Sequence, residues 1–150
     1  MAGKEPGKEE RRRHLIFTAR QQLGQPYVYG AWTEEAPRCF DCSSFAQYCY
    51  GRIGVELPRV SIKQAHLGRR VPAAASRFKA GDLIFVRGRA GHYDRKFPQG
   101  IGHVIMVADQ GQVIHCRSRR RNGREVGGVV AEPLAKILKR KDITVIKRML

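Results

Sequence analysis

Apolar spacing divides the 150-residue chain into a helical first half and a strand-rich second half. Between residues 9 and 23, Ile16, Ala19 and Leu23 recur at i, i+3 and i+7, with Leu15 and Phe17 widening the stripe. That spacing predicts an amphipathic helix, which Gly24 and Pro26 end. An aromatic-rich extended or turn segment, PYVYGAW, follows over 26–32. Asp41 then stands as an N-cap before a helix over 42–50, with Phe45 and Cys49 on one face and Gly51 and Gly54 as its stop. Ser61 and Gln64 have the S-x-x-Q spacing of a capping box and predict a short helix ending near Gly68.

Past Lys79 the segments become short and β-rich, at 81–86, 103–108, 112–117, 128–132 and 143–149, with a turn or short helix over 132–141. Helices first and hairpin-connected strands after predict an α+β domain, its N-terminal helices packed on an antiparallel sheet of about five strands. Residues 1–8 read as a flexible basic tail and 9–150 as one domain. The connection over 87–102 is long, glycine-rich and charged, and reads as a lid or a mobile loop.

One hairpin can be assigned a register. Asp109, Gln110 and Gly111 suit a three-residue loop with Gly111 in the left-handed position. Ala108 would then pair with Gln112 and His115 with Ile105, leaving His103 diagonal to His115 on the same face of the sheet. A two-residue loop would place the two imidazoles on opposite faces.

This register matters because the chain holds a candidate nucleophile. Cys42 directly follows the expected N-cap, where unpaired helix amides favour a thiolate and can hold an oxyanion. A cysteine nucleophile needs a base and a group that orients it, and His103 and His115 fit those needs. The other histidines, His14, His66 and His92, fall in the N-terminal segment, the short helix and the long loop. Cys39 and Cys42 also form a C-x-x-C pair, so zinc held by Cys39, Cys42, His103 and His115 is an alternative. A redox pair fits less well, since the thioredoxin-like βαβ context is missing.

Composition is ordinary for a globular chain, at 42% hydrophobic and 28% charged, and no apolar run approaches the ~20 residues of a membrane span. The N-terminal stretch lacks the apolar core of a signal peptide, and four cysteines in that setting do not suggest a disulfide framework. Charge is the unusual quantity: 29 Lys and Arg against 13 Asp and Glu, net +16. The positive residues cluster at Arg11 to Arg13, at Arg117, Arg119, Arg120, Arg121 and Arg124, and at Lys139, Arg140 and Lys141. Such an excess attracts polyanions. A basic nucleic-acid or polyanion-binding module with a vestigial triad is therefore a second reading, although no recognition helix or stacking motif accompanies the arginines.

In order, the blocks PYVYGAW, FDCSSFAQYCY, LPRVSIKQ, GDLIFV, GHVIMVAD and VIHC resemble the NlpC-type cell-wall cysteine peptidases, which have a papain-like fold. The resemblance covers residues 10–118. It implies Cys42 as nucleophile, His103 as general base and acid, His115 as the orienting residue and Tyr27 as the neighbour of the nucleophile. By the same analogy Asp41, Ser43 and Arg59 contact a peptidoglycan stem peptide. The implied reaction is cleavage of the γ-D-glutamyl–diaminopimelate bond, without cofactor or metal, by a monomer acting at the wall in a periplasmic or extracellular setting. A thiol amidase or acyltransferase of the same fold is a further alternative. The sequence departs from the family pattern at Ala31 and Ser44, which replace glycines, at GHVIMV, and in expanded segments over 28–41 and 87–102.

Overall fold

Residues 83–86 are buried at every position, which strict in-and-out alternation would not give, because both faces of the sheet they belong to are covered. The computed structural model describes residues 5–88 and 91–150. Of the expected tail, residues 1–4 lie outside the described residues, residues 5–7 are exposed without regular structure, and Lys8 already opens the first helix.

The helices are α1 (Lys8–Gln21), α2 (Cys42–Gly51), α3 (Ser61–Gln64) and α4 (Leu134–Leu138). The main sheet has six strands among the described residues: β1 (Arg69–Arg70), β2 (Leu83–Val86), β3 (His103–Val107), β4 (Gln112–Arg117), β7 (Gly128–Pro133) and β8 (Ile143–Arg148). Between β4 and β7, β5 (Arg120–Arg121) and β6 (Arg124–Glu125) form a separate small hairpin. Strand order is β1-β8-β2-β3-β4-β7, and all pairs are antiparallel. The α+β expectation holds, with one strand more than expected.

Leu15, Phe45, Cys49 and Tyr50 of α1 and α2 pack with Leu83, Phe85, Val104, Met106 and Ile114 on one side of the sheet. Ile137 of α4 packs with Ile84, Val86, Ile105, Val107 and Ile146 on the other. The α1 stripe differs from the expected one. Its buried face includes Arg12, Leu15, Ile16 and Ala19, whereas Phe17 is exposed and Leu23 lies exposed beyond the helix end. Arg12 occupies a core position because its guanidinium donates to the Leu150 carbonyl (2.7 Å) and pairs with Glu9.

The expected capping box at 61–64 does not form. Val60 is the N-cap, Ser61 is already helical, and the Gln64 side chain turns inward to donate to Ser43 O (3.0 Å) and Pro58 O (2.8 Å). A carbonyl in the first turn of α2 and one in the loop before α3 thereby gain a donor that an outward-facing cap would not supply. Asp82 explains the GDL block. It is 1% exposed and takes both Nε and Nη2 of Arg148 at 2.8 Å, locking β8 against the entry to β2. The long connection is no loose lid at its far end, since Phe97 and Ile101 are buried in the core.

Candidate active site

The hairpin register is as expected. Met106 pairs with Ile114 and Val107 with Val113, so paired numbers sum to the same value, and Gly111 lies in the left-handed region (φ 69°). Gln110 joins it there (φ 56°). His103 and His115 consequently share a face, and His103 Nε2 lies 2.6 Å from His115 Nδ1. His115 Nε2 in turn lies 2.6 Å from Glu132 Oε2. Glu132 is on β7, two residues beyond Val130, which faces His115 directly. Sequence reasoning missed this carboxylate, because its proximity depends on how β7 registers with β4 across the intervening β5–β6 hairpin.

These contacts set the protons. Burial opposes charge on Glu132, but hydrogen bonds from His115 and Lys136 outweigh it and hold the carboxyl down at about 2. An ionised Glu132 accepts from His115 Nε2–H, so neutral His115 offers a bare Nδ1. That atom accepts from His103 Nε2–H and leaves His103 Nδ1 unprotonated. Burial, with His115 beside it, pushes the His103 imidazole down to about 3.

Cys42 is the first residue of α2 and is 9% exposed. Its N-cap is Asp41, as expected. Asp41 Oδ1 accepts from Ser44 N (2.9 Å), and Ser44 Oγ accepts from Asp41 N (3.0 Å). Ser44, standing where the resembled family has glycine, thus supplies the return leg of a reciprocal cap. Cys42 Sγ is 4.0 Å from the carbonyl of Gly102, the residue before His103. A Cβ on Gly102 would fall 2.7 Å from Gly88 Cα, so the two ends of the 87–102 connection close against each other only without a side chain there.

One expectation is corrected. The helix start does not leave a standing thiolate, because burial and then the Asp41 carboxylate push the Cys42 thiol up to about 11. The amides of Val104 and Ser43 and the Arg59 guanidinium offset only part of this. Thiol and imidazole both rest neutral.

Cys42, His103, His115, Tyr27, Asp41, Ser43 and Arg59 all line one open cleft of about 1350 Å³. Arg59 donates to Asp41 Oδ2 (2.7 Å), Ser43 Oγ (2.9 Å) and Ala31 O (2.6 Å), tying the cleft wall to the helix start. Burial first, then any charge on Cys42 and the Asp41 carboxylate, raise the Tyr27 hydroxyl above its usual range. Cys39 is not part of this wall; its Sγ faces Glu35 Oε2 at 3.5 Å. The four-residue zinc set is therefore not assembled, and no group of three potential ligands among the described residues is placed to hold a metal ion. His66 pairs with Asp94 (2.6 Å), outside the cleft.

A model of the NlpC/P60 family matches residues 24–138. The chain belongs to that family. It is 34% identical over 102 residues to a probable endopeptidase of Corynebacterium glutamicum, covering 68% of this chain and 41% of the relative. It is 30% identical over 133 residues to the peptidoglycan endopeptidase RipB of Mycobacterium tuberculosis, covering 82% and 48%. The chain thus spans less than half the length of these curated relatives. The solved structure of RipB superposes with a TM-score of 0.67 at 24% identity, covering 100% of this chain and 73% of that one. The NlpC/p60 domain of the peptidoglycan hydrolase SagA gives 0.65 at 25%, covering 92% and 98%. Helices on a largely antiparallel sheet are the NlpC/P60 papain-like fold.

Proposed function

We propose that this NlpC/P60 domain is a cysteine endopeptidase that hydrolyses an amide bond in peptidoglycan stem peptides, with Cys42, His103 and His115 as its triad. The observation that carries this reading is the hydrogen-bonded line Glu132–His115–His103, whose free end is a bare imidazole nitrogen in the cleft that holds Cys42. His103 Nδ1 takes the thiol proton as sulfur attacks the carbonyl carbon. Amides at the start of α2 hold the resulting oxyanion, with the neutral Tyr27 hydroxyl as neighbour of the nucleophile. His103 then gives its proton to the leaving amine, and water cleaves the thioester by the same base. Glu132 and His115 act as positioning residues, keeping His103 in the tautomer that can accept.

The cleft's charge supports the finer choice of bond. Arg59, Arg87, Arg117, Arg120, Lys136 and Arg140 line it against three acids, of which Asp41 and Glu132 are already engaged and Glu34 is exposed. A γ-linked D-glutamate keeps a free α-carboxylate, and diaminopimelate carries a second amino-acid head group. A γ-D-glutamyl–diaminopimelate bond thus brings carboxylates to both sides of the scissile amide. The remaining Arg and Lys clusters meet the anionic polymers of the wall. The test is mass spectrometry of purified muropeptides incubated with wild type and Cys42→Ala. Loss of cleavage in a folded Cys42→Ala protein is expected; cleavage that persists in that variant removes the proposal.

A further inference from the structure

A second cavity, of about 410 Å³, lies apart from the thiol cleft and shares no lining residue with it. Its walls are β8, through Thr144, Val145 and Lys147, the edge residue Arg70, and the turn carrying Lys96, Phe97, Pro98 and Gln99. No acidic residue lines it.

Lys147 is the unusual member. Its register partners are Leu83 on β2 and Arg70 on β1, so it holds a position on the helix-covered face of the sheet. The residue is only 6% exposed, so its stem is buried while its ammonium opens into the cavity, where no hydrogen bond or ion pair engages it among the described residues. A long stem packed under cover with its charged end at the cavity is the arrangement in which lysine presents an ammonium to a ligand. Burial first, then the charges of Lys96 and Arg70, press its pKa below the usual lysine range. The one acid of the neighbouring turn, Asp94, is committed elsewhere, to His66 (2.6 Å) and the Phe97 amide (2.7 Å).

The turn is itself held in place. Phe97 is buried, its ring stands edge-on to His66, and Thr144 Oγ1 donates to the Gly100 carbonyl (2.8 Å). The cavity is therefore a fixed shape with three cations around it and an apolar flank of Phe97, Pro98 and Val145. Three positive donors without a counter-charge match an anion carrying more than one charge and several acceptor oxygens. The apolar flank leaves room for a carbon skeleton attached to it.

We propose that this cavity is a binding site for a phosphate group, free or esterified, with Lys147, fixed by its buried stem, as the inner donor and Arg70 and Lys96 as outer donors. The site does not depend on the hydrolytic reading of the cleft, and binding should be unchanged in Cys42→Ala.

The test is titration of the whole chain with inorganic phosphate, with glycerol phosphate and with acetate, at fixed ionic strength, followed by amide NMR shifts and thermal midpoint. Saturable binding of phosphate or glycerol phosphate with no response to acetate is expected, with a higher midpoint in the bound state. Tighter binding of glycerol phosphate identifies the esterified group as ligand; tighter binding of inorganic phosphate identifies the free ion. Lys147→Met should weaken binding about tenfold or more. Lys96→Gln, on the exposed side of the turn, should weaken binding without disturbing the fold and serves if Lys147→Met does not fold. Non-saturable shifts, an equal response to acetate, or phosphate affinity unchanged in the variants would overturn the proposal.

Discussion

Cys42 is buried and His103 half-buried, desolvation keeps both neutral, and that has a kinetic consequence. His103 can accept a proton only when neutral. Its imidazole is pushed down to about 3, so the competent form is fully present above that pH and is lost as pH falls through it. Cys42, at about 11, remains a thiol across the same range and ionises only during attack. For the proposed peptidase, kcat/KM should therefore be flat from about pH 5 to about pH 9, with its acid limb well below the ordinary imidazole value. An acid limb centred near 6.5 would mean that His103 titrates as an ordinary imidazole, and activity already falling on the alkaline side below about pH 9 would show a standing thiolate–imidazolium pair instead. In the same experiment Glu132→Gln should lower the plateau by roughly 10- to 100-fold through kcat rather than KM, since the orienting charge is lost and no cleft contact is added. That Cys42 opens a capped helix and that His103 and His115 share a face of the sheet were legible beforehand, from a helix cap and a hairpin loop length. Glu132 was not, because nothing local to residue 132 reports that it sits diagonal to His115. The rest state of Cys42 was misread for a related reason: helix position is visible in a sequence, but burial beside Asp41 is not.

Elements formed where local chemistry and tertiary packing agreed. The Asp41 cap, the 109–111 turn and the five longer strands all have signals within a few residues of themselves. The two-residue strands β1, β5 and β6 have none, since a strand that short exists only through its partner. Gln64 shows the opposite conflict, with a good capping residue recruited by two backbone carbonyls. The Asp82–Arg148 pair is the strongest such long-range tie, joining residues 66 positions apart and buried at both ends. Asp82→Ala should lower the unfolding free energy by about 3–5 kcal/mol, because it leaves the Arg148 guanidinium buried without its carboxylate. Denaturant unfolding checks this, and a loss below about 1 kcal/mol would mean that water reaches Arg148 freely. The same tie holds β8, so the phosphate cavity should loosen in that variant as well.

A net charge of +16 does not act from every basic residue alike. Arg11 and Arg12 are spent on the Ile53 and Leu150 carbonyls, Arg20 on Asp109, and Arg148 on Asp82. Near the cleft, Arg117 and Lys136 share the single carboxylate of Glu132 and Arg140 pairs with Asp142, whereas the β5–β6 hairpin carries Arg120, Arg121 and Arg124. Glu125 anchors that hairpin's base by accepting from Arg119 N (2.8 Å) and Gly127 N (2.7 Å), so the arginines at its tip are held out in solvent on a fixed support. A field of this form raises the encounter rate with a polyanion and is screened within about 8–10 Å at ordinary salt. Turnover of intact, anionic wall material should therefore fall steeply between low and moderate ionic strength, while turnover of a short soluble stem peptide changes little. Replacing Arg121 and Arg124 by Gln, away from the cleft, should flatten the salt dependence on wall material and leave the short-peptide kcat unchanged. Equal salt dependence on both substrates would place the role of these charges within the cleft rather than on the approach to it.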